Sequence, residues 1–328
     1  MRINELKIEV YLFGAAGSVE KKELEDINLA KLDSKQLLWI NILERNEKMI
    51  SKTASVLEME NVPLKSLLNV QERPKIDHFE KFYRFFIASV GMNSKGQPKR
   101  IPIDFLVGKN FVVTIHDGEV GYFEEFRQLE KGATQIGALN AESFVATLLN
   151  MHIVSYFRAL EDLEQRVDEL DDRILKTDME DREFLAEMVA LRACFAKLRR
   201  WFLPHRDVFY ALSRPDFQTI TDNESVRQFE QLNEHFENAV DMIESSRETV
   251  LSPFDLYATK SAQMTNTFIQ RLTFLTLLVG ALSVIAGILG MNYRVSLFES
   301  EAGFWITIGG MVLIALSLTV YARFRRWI

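Results

Sequence analysis

Two stretches near the end of the chain, residues 272–293 and 302–322, contain no charged side chain. A helix crossing a hydrocarbon core of roughly 30 Å needs about 20 apolar residues, and each stretch is long enough. The link between them holds Arg294, Glu299 and Glu301 and is short, which makes a hairpin. The competing reading is a helical hairpin buried in a soluble core. Such core helices stay uncharged over about 10–14 residues, seldom over two consecutive spans of this length. The sequence therefore predicts two membrane helices, at 272–292 and 304–324, with an outer loop at 293–303 and a basic tail at 325–328.

The flanks set an expected orientation. Arg323, Arg325 and Arg326 cluster after the second span and Arg271 precedes the first, whereas the link sets one arginine against two glutamates. By the bias of basic residues toward the cytoplasm, both termini are expected inside, in a multi-pass protein of the inner (plasma) membrane. The opening MRINELKIEVYLF has acids and no long apolar region, so it does not read as a secretory signal, and residues 1–265 are expected to stay on the synthesis side. Cys194, the single cysteine, reads as a buried helical thiol.

Upstream of the spans the pattern changes twice. Residues 1–135 alternate β-branched or aromatic runs with helical stretches: 7–13, 37–42, 82–92, 101–107 and 110–116 read as strands, about 46–59 and 121–132 as helices. A cytoplasmic α/β (α+β) domain is expected there. Residues 136–220 read as a helical hairpin. Its first helix has a seam of Leu160, Leu163, Val167, Leu170 and Ile174, its second Leu185, Met188, Leu191, Phe195, Leu198 and Phe202. A third helix, the stalk at 221–271, begins after the capping signature Thr221-Asp222-Asn223-Glu224 and carries Phe229, Leu232, Phe236, Val240 and Ile243. Ser252-Pro253 either kinks that helix or ends it.

Several functions are disfavoured. The net charge of −7 points away from nucleic acid. There is no GxxxxGK[ST] phosphate loop, so no nucleotide is expected, and Gly108-Lys109-Asn110 reads as a hairpin turn. No nucleophile–base spacing marks an enzyme and no cofactor is implied. His78, His116, His152, His205 and His235 are scattered, with only His235 near acids, Glu234 and Glu237.

The first span halts at Gly290-Met291-Asn292, and this triplet is placed after a long helix and an α/β domain. Together with Leu68-Asn69 before Arg73-Pro74-Lys75, FLVGKNFVVTIHD (105–117), LRRWFLPHRDVF (198–209), Asp255-Leu256-Tyr257 and Thr265-Asn266, it resembles the CorA family of divalent-cation channels. The resemblance implies a homopentamer in the lipid bilayer, with a cytoplasmic funnel and first spans lining a central pore. It implies transport of Mg²⁺, with Co²⁺ and Ni²⁺ also plausible, through a filter of Gly290, Met291 and Asn292. Mg²⁺ keeps its waters, so a ring of neutral Asn292 amides suits a hydrated ion. An ungapped match to the family puts Asn266, Ile269, Leu272, Thr276, Gly280, Ser283 and Gly287 along the pore, on one helix face by their spacing. Gly280 and Gly287 read equally as helix-packing positions in lipid. Glu299 and Glu301 are expected to concentrate cations at the outer mouth.

The chain also departs from the family. Two acids of an intracellular regulatory metal site fall at Ser66 and Gln231, which makes that site doubtful; nearby Glu234 and Asp241 are candidate substitutes. After the triplet the chain reads Tyr293-Arg294-Val295-Ser296-Leu297 rather than the family's Met-Pro-Glu-Leu-like stretch. These departures leave two alternatives open: a Zn²⁺ transporter of the same family, with or without proton coupling, and a membrane-anchored regulator that no longer conducts.

Overall fold

The computed structural model describes residues 8–14, 18–29, 32–33, 36–71, 73–93, 96–130, 140–176, 182–214, 217, 223–291 and 301–324. The chain divides into two compact units. One comprises residues 1–170 and 181–252, the other residues 171–180 and 253–328.

A seven-stranded sheet dominates the first unit. Its strands are β1 (Ile8–Phe13), β2 (Val19–Lys22), β3 (Leu37–Ile42), β4 (Lys75–His78), β5 (Phe82–Met92), β6 (Pro98–Gly108) and β7 (Phe111–His116), in spatial order β2-β1-β3-β7-β6-β5-β4. Only β3 and β7 pair in parallel; the other neighbours are antiparallel. Every residue of β3 and β7 is buried, as strands covered on both faces must be. On one face Leu38, Ile40, Val113, Ile115 and Leu106 pack with Met49 and Ile50 of α1 (Glu47–Val56) and Leu67 of α2 (Leu64–Leu68). On the other face Trp39 meets Phe123 and Phe126 of α3 (Gly121–Glu130) and Phe144 of α4 (Ala141–Lys176), with ring centroids 5.4–6.0 Å apart. The turn after Gly108 joins β6 to β7, as its residues predict.

Sheet pairing runs short at β4, whose last partner on β5 is Phe86. On its other side Ala88 stands opposite Pro102, whose carbonyl accepts from Arg45 Nη2. The backbone groups of Ala88 are satisfied instead by helix side chains: its N–H donates to His205 Nε2 (2.9 Å) and its carbonyl accepts from Tyr156 Oη (2.5 Å). Two residues distant in sequence thereby cap one sheet edge.

Three further helices complete this unit: α5 (Arg182–Phe202), α6 (Arg206–Ser213) and the first part of α7 (Asn223–Leu289). The seam on α4 is as its periodicity predicts, all of Leu160, Leu163, Val167 and Leu170 being buried. On α5 one residue differs. Leu185 is half exposed and Phe184 takes its place inside, so the seam runs Phe184, Met188, Leu191, Phe195, Leu198 and Phe202. Phe229, Leu232, Phe236, Val240 and Ile243 of α7 are buried as expected. Ion pairs from Arg206 to Glu237 and from Arg199 to Glu244 fasten α6 and α5 to it. The boundaries read from sequence near 135 and 220 lie outside the described residues, between α3 and α4 and between α6 and α7, and the described residues on both sides of each belong to this unit.

Helix α7 continues through Pro253 rather than ending there. Proline removes the N–H that would reach the carbonyl of Thr249 four residues back, and the hydroxyl of Ser252 donates to that carbonyl at 2.8 Å. The local hydrogen-bond deficit is thus met one residue before it arises. Residues 221 and 222 of the capping signature lie outside the described residues.

In the second unit the long apolar part of α7 and helix α8 (Glu301–Phe324) are the two candidate spans. None of the most apolar stretch of α7, and 6% of that of α8, is buried in the chain. A hairpin in a soluble core would be covered, so the soluble-core reading is set aside. Lys260 donates to the carbonyls of Ile174 and Leu175, satisfying the C-terminal end of α4 that belongs to this unit.

Candidate functional site

The membrane part of α7 has one partly covered stripe, Phe274, Leu278, Ala281, Leu282, Ile285 and Leu289, at helical spacing. On α8 the covered positions are Gly303, Thr307, Met311, Ala315, Leu318 and Ala322, rich in small residues. Asn266, Ile269, Leu272, Thr276, Gly280, Ser283 and Gly287, the pore positions of the sequence reading, all lie off the α7 stripe and are exposed. Ile269 and Leu272 are 51% and 52% exposed, large apolar groups left half open on the helix surface. The Thr276 hydroxyl donates to the Leu272 carbonyl at 2.9 Å, which leaves its oxygen lone pairs free to accept.

The two glycines on this face answer the packing question for a single chain. A Cβ added at Gly280 or at Gly287 would meet nothing within 4 Å among the described residues, so contacts with them do not require either. Gly290 differs. It ends the helix, its N–H donating to the Ala286 carbonyl at 2.9 Å, and a Cβ there would stand 3.3 Å from that oxygen. The glycine serves close backbone approach, not a left-handed φ. Met291 is 53% exposed. Asn292, the central residue of the expected filter, and Glu299 of the outer loop lie outside the described residues. Glu301 is exposed in the first turn of α8.

The positions of the doubtful intracellular site have other employment. Ser66 sits in α2, where its hydroxyl accepts from Arg84 Nη1 (2.7 Å) and donates to the Pro63 carbonyl (3.0 Å). Arg84 in turn pairs with Asp104, and Arg45 reaches the same carboxylate and the Leu67 carbonyl. Ser66 thus belongs to a network that ties α2 to the sheet. An acid placed there would face a guanidinium, not open solvent. Ser66→Asp is therefore expected to give no Mg²⁺-dependent protection in limited proteolysis, because Arg84 takes the new carboxylate; strong protection by millimolar Mg²⁺ would contradict that geometry. Strand patterning alone hinted at the network: Arg84 and Asp104 are lone opposite charges within the otherwise apolar runs FYRFF and IPIDFLV.

Gln231 is exposed on α7 and shares a groove of about 310 Å³ with Asn150, Gln228 and His235. His235 Nδ1 lies 2.8 Å from Asn150 Oδ1, and Glu237 is held by Arg206 at 2.7 and 2.9 Å. Glu234 and Asp241 are exposed helix acids. Among the described residues no three His, Cys, Asp or Glu side chains converge as a metal site. Cys194 is buried, as its helical setting predicts.

Comparison with known proteins gives a consistent result. The family model described as "CorA-like Mg2+ transporter protein" matches residues 34–326. The cobalt/magnesium transport protein CorA of Thermotoga maritima is 24% identical over 90% of this chain and 85% of its own. That of Methanocaldococcus jannaschii is 25% identical over 98% of this chain and 100% of its own. The complete solved structure of the CorA magnesium transporter from M. jannaschii superposes with a TM-score of 0.75, covering 97% of this chain and 98% of that one at 23% identity. A zinc transport protein, ZntB, of Yersinia pseudotuberculosis is 22% identical over 78% of this chain and 77% of its own.

Proposed function

The chain belongs to the CorA family of membrane transporters, and from that premise we propose that it is a divalent-cation channel, with Mg²⁺ as its first substrate and Co²⁺ and Ni²⁺ as others. Five copies surround an axis, the exposed face from Asn266 to Gly287 lines the passage, and a ring of Asn292 amides selects the hydrated ion. The observation that carries this reading is the α7 face itself. It is uncharged and exposed along its length, and neither Gly280 nor Gly287 is packed by its own chain. Such a face is the complement of a water-filled axis shared with other copies. Amide and hydroxyl oxygens along it accept hydrogen bonds from the waters that the ion keeps, without the tight carboxylate cage that would trap it. Ile269 and Leu272 form the inner apolar constriction, closed by dewetting. Glu299 and Glu301 draw cations to the mouth, with both termini on the cytoplasmic side of the inner membrane. An inside-negative potential drives entry: about 2.3 kcal/mol per elementary charge per 100 mV, hence about 4.6 kcal/mol for a divalent ion.

Reconstitution in liposomes tests the proposal. Mg²⁺ uptake is expected to follow an imposed potential, and Asn292→Ala is expected to reduce selective uptake at least tenfold. Absence of both Mg²⁺ and Zn²⁺ flux from the unaltered protein favours the non-conducting regulator. The zinc reading is supported by the zinc-transporting relative and by the engagement of Ser66 with Arg84 in place of a regulatory acid. It predicts that Zn²⁺ uptake exceeds Mg²⁺ uptake and responds to a proton gradient.

A further inference from the structure

Between α5 and α7, wholly within the first unit, lies a groove of about 420 Å³ whose charged lining is of one sign. Arg192 and Arg199 of α5 and Arg247 of α7 stand exposed around it, and Phe195, Val250 and Leu251 make its apolar floor. Phe195 and Val250 are 5% and 2% exposed, so the floor belongs to the rigid helix seam. Arg199 is already paired with Glu244, Nη2 to Oε1 at 2.7 Å. Arg192 and Arg247 have no hydrogen-bond or ion-pair partner among the described residues.

Of the three guanidinium groups around this hollow only Arg199 has a carboxylate partner among the described residues, Glu244, so Arg192 and Arg247 leave unneutralised positive charge that an anion would satisfy. In a chain of net charge −7 this concentration of positive charge stands out. We propose that the groove binds an organic phosphate of the nucleoside di- or triphosphate class. Guanidinium forks match phosphoryl oxygens two at a time, and such oxygens, clustered on one or two phosphorus atoms, suit cations converging from two helices. At about 420 Å³ the groove has more room than a bare phosphate ion needs. The apolar floor provides a seat for a flat base, with arginine positioned to stack on it. The lack of a phosphate loop, which led the sequence reading away from nucleotides, bears only on backbone-cradled sites. Here the donors are side chains from segments some 50 residues apart.

This site is independent of the ion-conduction proposal, and its test reads binding alone. Full-length protein in detergent is titrated calorimetrically with ADP in a buffer free of divalent cations, so that no cation-bound complex at the membrane helices contributes. Saturable ADP binding is expected, with adenosine and inorganic phosphate each at least tenfold weaker. Arg192→Gln combined with Arg247→Gln is expected to weaken ADP at least tenfold. Ala196→Glu, which adds an acid at an exposed lining position, is expected to do the same. All these side chains are exposed, so melting temperatures should match that of the unaltered protein and show that the variants fold. Absence of ADP binding, equal ADP affinity in the variants, or inorganic phosphate binding as tightly as ADP overturns the proposal.

Discussion

Acidification from pH 7.5 to 4.5 is expected to destabilise the sheet-bearing unit by about 2–3 kcal/mol through His205 alone, and by more once His152 is included. Both imidazoles are fully buried and their rings stand 4.8 Å apart. His205 uses both nitrogens as a neutral ring. Nδ1 donates to the Phe202 carbonyl at 2.7 Å, and Nε2 accepts from the Ala88 N–H, a bond that a second ring proton would break. Burial pushes its pKa down to about 4 against the opposing pull of the Phe202 carbonyl, with Arg100 adding repulsion. His152, beside Tyr122 and Tyr156, has no hydrogen-bond partner for either nitrogen among the described residues, and burial, with His205 next to it, holds its pKa well below the usual range. The unfolded chain binds these protons near the ordinary value of about 6.5 and the folded chain only far lower. The stability from neutral His205 is therefore fully present above about pH 6.5 and drains away as pH falls toward 4.

Thermal unfolding in detergent at the two pH values measures the effect. His152→Phe is an instructive partner, because it removes two unpartnered polar atoms from an aromatic nest. The variant should melt no lower than the unaltered protein at pH 7.5 and lose less on acidification. A melting temperature of the unaltered protein that is indifferent to this change of pH would rule out neutral buried imidazoles.

Asp104→Ala is expected to cost about 3–5 kcal/mol, a large share of the roughly 5–15 kcal/mol that holds a domain together. Asp104 is fully buried and serves two arginines that are 2% and 4% exposed. Oδ1 accepts from Arg84 Nε and Nη2 at 2.8 and 2.6 Å, and Oδ2 accepts from Arg45 Nη1 at 2.5 Å. The other contacts are mostly with the backbone: Arg45 also bonds the carbonyls of Leu67, Pro102 and Ile115 and forms an ion pair with Asp117, while Arg84 bonds the hydroxyl and carbonyl of Ser66. Deleting the shared carboxylate leaves two cations buried with only carbonyls, a hydroxyl and the outlying Asp77 and Asp117 for company. Chemical denaturation followed by intrinsic fluorescence suits the measurement, since Trp39 sits in the same sheet. A loss below 1 kcal/mol would mean that water reaches these arginines after all. The consequence would extend to α2, whose Ser66 and Leu67 carbonyls hang on this cluster.

Much of the architecture was legible because hydrophobic periodicity and charge gaps are local properties. The runs 37–42 and 82–92 match β3 and β5 at both ends, and the uncharged spans emerge as helices with almost no burial. The short edge strands β2 and β4 were not foreseen. They are polar, and they exist because β1 and β5 offer them a ladder. The exchange of Leu185 for Phe184 on α5 is of the same kind, since adjacent apolar residues leave the helix phase open until a partner helix chooses.

By itself the sequence determined the membrane hairpin, the helical seams and the uncharged face of α7, for spacing along one segment dictates which side chains share a surface. Only tertiary structure decided that Ser66 answers to Arg84, that His205 and Tyr156 cap the sheet edge at Ala88, and that three arginines of two helices share one groove. Each of these joins residues remote in the chain. Their chemistry depends on desolvation and hydrogen-bond geometry that no periodicity encodes.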